Sequence, residues 1–372
     1  MMVRFMVIKR MPMEEWFDTY SYGAEYDIGQ SSVKNIDLKT LKIDLQDLVL
    51  SYGYHVGRPE LKELVADQYD GLSSDQVVVT TGASEGNFLI TLALLLEGGR
   101  LLVELPNYPP IYEVAKTLNR HVDFLPITFE EKWRPSLEKL RDLMTKKTKL
   151  VSLTHPHNPT GSMVSEKLLN ELVEIVEAHD SYLLFDETYR DLAFGDPLPP
   201  AATLSDRAIS LTSMSKVYGV PGIRIGWIAS ADKSIIESAT AIKEMLTICN
   251  SAISEEISIR ILQQREHFLK RAKRLAKAGF EVVDGWIKEH SDFEWVPPGG
   301  GVIGFPRFSE DVDTLEFCKL LVNKYKTFVV PGPFFEVERG FRIGYGHDID
   351  DLKGGLQRIG QAYNELSSKA PA

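Results

Sequence analysis

The sequence predicts an α/β fold, with a large domain on a mostly parallel, doubly wound sheet joined to a smaller α+β domain. Three observations carry this. Strand-like and helix-like segments alternate from about residue 60 to about residue 230, an order that lays helices on both faces of a parallel sheet. The residues best suited to chemistry each fall just past a strand-like run, where ligands sit in open α/β sheets. Beyond about residue 255 the alternation gives way to a charged helical stretch and then to short glycine- and proline-rich runs.

Residues 60–69 carry Leu61, Leu64 and Val65 at helical spacing, and 76–80 is a β-branched run ending before Gly82. An apolar helix over 84–96 closes at Gly98-Gly99, and strand 101–105 stops at Pro106. Strand 150–153 precedes Pro156, a helix fits 165–179, and strands follow at 181–185, 208–212 and 225–229. One long helix is expected over roughly 255–290. After it come PPGGGVIGFP (297–306), FVVPGPFF (328–335) and GFRIGYG (340–346). The predicted division is an N-terminal arm sharing in the small domain (1–40), a large domain (41–254), and a connecting helix with the small C-terminal domain (255–372).

The bulk numbers set bounds. A chain of 372 residues with 44% hydrophobic and 26% charged residues is an ordinary globular composition. Its 42 basic against 53 acidic residues give a formal charge of −11, which argues against nucleic acid or an anionic membrane as partner. Cys249 and Cys318 are far apart in the chain and suit a reducing cytoplasm; they form neither a disulfide framework nor a zinc motif. The opening MMVRFMVIKRMPMEEWF lacks a continuous apolar core and a cleavage site, and reads as an ordered arm. The apolar run from Phe88 to Leu96 is too short to span a bilayer.

The most informative segment is SMSKVYGVPGIRIGW (213–227). Lys216 follows a strand entering the core, with small residues before it and Gly219, Pro221 and Gly222 after it. Partial desolvation there lowers an ammonium's pKa toward the reactive neutral amine. Such an amine condenses with an aldehyde, while Arg224 and nearby serines suit a phosphate. Pyridoxal 5'-phosphate offers both groups. Read alone, Lys216 is as well explained as a solvated loop lysine, so the weight falls on the other strand ends.

TTGASEGNF (80–88) is strand, tight turn and helix start. The N–H groups of Gly82, Ala83 and Ser84, with the Ser84 hydroxyl and the helix dipole, form a phosphate seat; a plain turn with Ser84 as N-cap is the competing reading. SYLLFDETY (181–189) drives an apolar strand into Asp186. A carboxylate there is costly unless a positive group faces it, as a protonated ring nitrogen would. Tyr189 follows where its phenol can meet a ring oxygen; a capping Asp and a core Tyr are the competing reading. In THPHNPTG (154–161) the Asn158 amide can donate to an oxygen, although Asn-Pro is also a common turn pair. In ELPNYPPIY (104–112) Tyr108 can stack on a ring or simply fill the core. In FRIGYG (341–346) Arg342 interrupts an apolar run, as a carboxylate clamp or as half of an internal ion pair.

Together these residues resemble the class I/II, fold-type I pyridoxal-phosphate aminotransferases, over about Gly29 to Gly346. S-x-S-K followed by G-x-R-x-G, N-P-T-G and the D-E-x-Y strand end stand in the family's order. The resemblance implies Lys216 as the Schiff-base lysine and Asp186 as the pyridinium partner. It places Tyr189 and Asn158 on the 3-oxygen, Tyr108 on the ring face, and Ser84, Ser213 and Arg224, with N–H groups near Gly82, on the phosphate. Arg342 would grip the substrate carboxylate. Gly57 and Leu61 in SYGYHVGRPELKEL match a family element whose upstream tyrosine, here Tyr52, reaches the neighbouring subunit's phosphate; this implies a homodimer. Gly29 in YDIGQSS fits the substrate-facing N-terminal glycine. This chain departs from the family at DIGQSSV, where a Gly-Glu-Pro-Asp stretch is usual, and at His155 and His157, where many relatives carry asparagine. DETYRDL resembles a subset that includes enzymes modifying unusual amino acids.

The implied reaction moves an amino group from an L-amino acid to a 2-oxo acid in two half-reactions, with Lys216 carrying the α-proton. An aspartate- or glutamate-type donor is the default expectation, because no second arginine is assignable to a side-chain carboxylate. Elimination, decarboxylation, cyclisation or oxidation of an amino acid is the alternative, and a non-catalytic cofactor-sensing module the remote one. His121, His155, His157 and His347 are open as substrate contacts or loop residues.

Overall fold

The computed structural model describes residues 8–368. The first seven residues of the expected ordered arm lie outside the described residues. The central sheet has seven strands: β1 (Val77–Thr80), β2 (Arg100–Leu105), β3 (His121–Pro126), β4 (Thr148–Thr154), β5 (Tyr182–Asp186), β6 (Ala208–Ser213) and β7 (Gly226–Ser230). Their spatial order is β1-β7-β6-β5-β4-β2-β3. All pairings are parallel except those of β7, which runs antiparallel to both neighbours.

Alternate residues of each strand enter different cores, as the two-residue period of a strand requires. Val103, Leu184, Ile209 and Leu211 pack on one face, beneath the helices at Gly82–Leu95 and Lys233–Leu246. Leu102, Leu183 and Phe185 pack on the other, beneath the helix at Glu166–Ala178. Each fully buried aliphatic side chain contributes about 1.5–3 kcal/mol. The Gly82–Leu95 helix lies tight on β6 and β7 because Gly86 has no side chain: a Cβ there would stand 2.4 Å from a Leu211 methyl.

Register brings the reactive strand ends level. Thr154 of β4 pairs with Asp186 of β5, and Asp186 pairs with Leu211 of β6. The segments that follow, bearing Asn158, Thr188 and Lys216, therefore emerge side by side at the carboxyl edge of the sheet.

The expected single helix over 255–290 is two helices, Ala252–Leu262 and Arg265–Glu289, with Gln263 and Gln264 between them. The burial pattern explains the break. The first helix is buried nearly all round its middle, from Glu255 to Ile259. The second buries one stripe, Phe268, Leu269, Ala272, Ala276, Gly279, Val283 and Ile287. A straight continuation could not satisfy both, and the chain turns at Gln264, whose ψ is 28°.

Three short strands, Ile303–Gly304, Val330–Pro331 and Phe341–Gly344, form an antiparallel sheet with the last at its centre. The N-terminal segment is fastened to this region. Tyr26–Asp27 pairs in parallel with Thr327–Phe328, and Trp16, in the helix Pro12–Tyr20, donates its indole N–H to the Val329 carbonyl at 2.9 Å. That fastening carries the helix across the carboxyl edge of the large sheet. Among the described residues, no helix is long and apolar enough to cross a membrane.

Candidate active site

A cavity of about 260 Å³ opens at this edge. Its lining includes Ser84, Tyr108, Asn158, Asp186, Tyr189, Ser213, Lys216, Arg224 and Arg342, brought together from six segments of the chain, and Ala83 lies beside Ser84. Gly82 sits just beneath, at φ +78°, and a Cβ there would come within 2.6 Å of an Arg224 guanidinium nitrogen. The close approach is open only to glycine. It presents the first N–H groups of the Gly82–Leu95 helix and the Arg224 fork to the same volume, and the N-cap residue Thr81 makes no side-chain cap there. The helix begins at Gly82 rather than at residue 84, so Ser84 lies in the first turn and is not the cap. Arg224 itself adopts a left-handed backbone, φ 53°, and contacts the Pro221 carbonyl at 3.2 Å and Ser215 Oγ at 3.5 Å.

Lys216 leaves β6 in the short turn of helix Met214–Val217. Its Nζ donates to Ser31 Oγ at 2.9 Å. Burial pulls its pKa down to about 8, with further lowering from the Arg342 and Arg224 charges and partial opposition from Asp186. Asp186 ends β5 and accepts from the Thr188 N–H at 3.0 Å. Burial raises its carboxyl above the ordinary aspartate range, against the lowering effects of Thr188 and Lys216. A buried acid beside an open cavity is what a cationic ring nitrogen would relieve. Tyr189 donates its phenol to the Ser31 carbonyl at 2.9 Å, and burial pushes it up to about 12.

Arg342, on the central strand Phe341–Gly344, is 2% exposed. Its Nη1 donates to Asn158 Oδ1 at 3.2 Å and its Nη2 to the Gly29 carbonyl at 3.0 Å, while its Nε has no partner. It makes no ion pair among the described residues, so the internal-salt-bridge reading is not the one realised. A buried guanidinium held by neutral acceptors keeps its charge for an anion. Gly29 thus reaches the site through its carbonyl and does not itself line the cavity.

Tyr52 stands apart, 85% exposed on the surface of the single chain. Of the histidines, none lines the cavity. His121 is exposed at the start of β3, 3.0 Å from Asp123. His155 stacks on Phe185, and burial holds its pKa down to about 3. His157 bridges Thr160 Oγ1 and the Pro106 carbonyl, each at 2.8 Å, and burial lowers it to about 4. These two brace the Asn158 loop as neutral rings. His347 is half-buried near Asp27, its pKa lowered by burial.

Several lining residues were not expected from the sequence: Met13, Glu14 and Phe17 from the Pro12–Tyr20 helix, Gln30 and Ser31, and Thr154 and Thr188 at the strand ends. Ser31 is the nearest to a missed signal. It lies in DIGQSSV, already singled out as unusual, but nothing local in that stretch says it meets Lys216.

Residues 23–359 match the family described as aminotransferase class I and II. The chain is 28% identical over 362 residues to a capreomycidine synthase of Streptomyces vinaceus, covering 94% of this chain and 92% of that one. It is 28% identical over 327 residues to an aspartate aminotransferase of Thermotoga maritima, covering 82% and 81%. A solved pyridoxal-phosphate-dependent aminotransferase from Streptococcus suis superposes with a TM-score of 0.92 at 29% identity, covering 97% and 99%. The chain belongs to the class I and II aminotransferase family, with its fold-type I architecture, and is a pyridoxal-phosphate-dependent enzyme of the transaminase type.

Proposed function

We propose that this enzyme transfers an amino group between an L-amino acid and a 2-oxo acid. The observation that carries the reading is one cavity holding a lysine amine of lowered pKa, a buried carboxyl, and a buried arginine with no carboxylate partner. The residues fit the cofactor. Lys216 would hold its aldehyde and Asp186 its ring nitrogen. Tyr189 and Asn158 would hold the 3-oxygen and Tyr108 the ring face. Ser84, Ser213, Arg224 and the N–H groups of Gly82, Ala83 and Ser84 would hold the phosphate. When bound, pyridoxal phosphate supplies an electron sink next to the substrate's amino-bearing carbon.

The chain's own work is binding, orientation and proton movement. Arg342 receives the α-carboxylate in its fork and turns Cα toward Lys216. The Lys216 amine, neutral in a useful fraction near pH 8, takes the α-proton and returns it one position away. Asp186 would face a cationic ring nitrogen, which would offset its burial and keep it ionised. Positioning of this kind lowers a barrier by about 7–11 kcal/mol. The test is direct. Purified protein with added cofactor should absorb in the visible and convert an amino acid and a 2-oxo acid stoichiometrically, and Lys216→Ala should do neither. Turnover by Lys216→Ala at parental rates would refute the assignment.

A second reading keeps the cofactor and changes the outcome to cyclisation or another rearrangement of the amino acid. The likeness to a capreomycidine synthase over 94% of the chain favours it. Failure to form a new amino acid from the 2-oxo acid would select it.

The proposal includes a cytoplasmic homodimer and the division at residues 41 and 255. Val49, Leu50, Tyr52 and Met245 are exposed apolar side chains, and the two segments that carry them meet where His55 pairs with Glu244 at 2.6 Å. An apolar patch of that kind is what a second copy would cover, with Tyr52 delivered to the partner's phosphate seat.

A further inference from the structure

The charges lining the cavity are Lys216, Arg224 and Arg342 against Asp186 and Glu14. On the function proposed above, four of the five are matched: Lys216 by the aldehyde, Arg224 by the phosphate, Arg342 by the α-carboxylate and Asp186 by the ring nitrogen. Glu14 is left over. It sits in the first turn of the Pro12–Tyr20 helix, and its neighbour Glu15, in the same turn, is exposed to solvent. A favourable interaction with the helix dipole would be served by either residue, so it does not explain why one of them faces the cavity. Among the described residues Glu14 makes no ion pair, and the one hydrogen bond to its carboxylate comes from the Tyr108 phenol, which donates to Oε1 at 2.9 Å. Its second oxygen is free to accept. Met13 and Phe17, one residue before it and three after, and Ile111 give the surrounding wall an apolar character.

We propose that Glu14 selects the substrate, accepting an amino acid whose aliphatic side chain ends in a cation, an ammonium or a guanidinium. The stem would lie along Met13, Phe17 and Ile111 and the cationic head would meet the free carboxylate oxygen, as long basic side chains do at the edge of apolar surface. The inference rests on the proposed function and replaces its default acidic donor: a dicarboxylate in the same pose would set its second carboxylate against Glu14 with no cation left to receive it.

The experiment titrates the cofactor-loaded enzyme with L-arginine, L-ornithine, L-norleucine and L-glutamate, following the visible spectrum to obtain each Kd, in the parent and in Glu14→Gln. Glutamine keeps an acceptor for Tyr108 and removes the charge, and retention of the cofactor's absorbance shows that the variant is folded. The expected result is that a basic amino acid binds tightest to the parent, and that its advantage over norleucine shrinks about 10- to 100-fold in Glu14→Gln, the range for losing a charge-assisted bond. The proposal is overturned if glutamate or norleucine binds the parent as tightly as arginine and ornithine, or if the substitution weakens all four equally. In either case a chromophore that depends on Lys216 shows that the parent reading survives. Absence of that chromophore brings down both.

Discussion

Capture of the cofactor by Lys216 should follow the unusual acidity of its amine. Only the neutral form attacks an aldehyde. An ordinary lysine, at 10.5, is neutral in about 3 of 10,000 molecules at pH 7. With the pKa drawn down to about 8, the neutral share at pH 7 is about one in ten, a gain of about 300-fold. The perturbation is pH, stepped from 6 to 10, and the assay is stopped-flow absorbance after mixing apoprotein with pyridoxal phosphate. The second-order rate should climb about tenfold per unit below pH 7.5 and level off above pH 8.5. The same shift bears on stability. In the unfolded chain the lysine holds its proton up to about 10.5, and in the folded chain only to about 8. Between those values the unfolded state binds more protons, so stability rises with pH across that window, and below it the folded apoprotein carries the full penalty. Removing the charge by Lys216→Met should therefore stabilise the apoprotein at pH 7 by up to about 3 kcal/mol, an advantage that shrinks from pH 8 to pH 10.5. A capture rate still climbing tenfold per unit at pH 9.5, or a Lys216→Met apoprotein no more stable than the parent at pH 7, would refute the reasoning.

Three further outcomes are expected. Arg342→Lys keeps the charge but loses the fork that now spans Asn158 and Gly29; KM for the amino acid should rise about 10- to 100-fold, with the cofactor spectrum retained. Gly82→Ala places a methyl 2.6 Å from Arg224 at a φ of +78°. It should cost about 1–2 kcal/mol in backbone strain and weaken cofactor affinity, read by equilibrium dialysis. Met245→Asp, at an exposed position next to the Glu244 that pairs with His55, should shift the protein toward monomer in analytical ultracentrifugation and lower cofactor affinity as the partner's phenol is withdrawn.

Six of the seven strands were legible from the chain because they are short, buried and β-branched or leucine-rich, and most end near glycine, proline or an acidic residue; the edge strand His121–Pro126, mostly half-exposed, went unread because it lacks that continuous apolar run. Those endings also mark the residues at the carboxyl edge, which is why Asp186, Asn158 and Lys216 could be named before their neighbours were known. Where burial is two-sided the pattern is less informative. Charge and helical spacing run unbroken through 255–290, yet the chain turns at Gln264 because the two halves bury different amounts of their circumference.

The sequence by itself determined most of the sheet and its strand ends and singled out Lys216, since these depend on periodicity and on residues adjacent in the chain. Tertiary structure alone decided what faces that lysine. Ser31 reaches Lys216, and Glu14 reaches Tyr108, only because Tyr26–Asp27 pairs with Thr327–Phe328 and Trp16 bonds to Val329. Those contacts span some three hundred residues and rest on a two-residue strand, too short to leave a pattern in the sequence. The partners of Arg342 were hidden for the same reason: whether a buried arginine meets a carboxylate or waits for one depends on which loops fold over it, and here they bring an amide and a carbonyl.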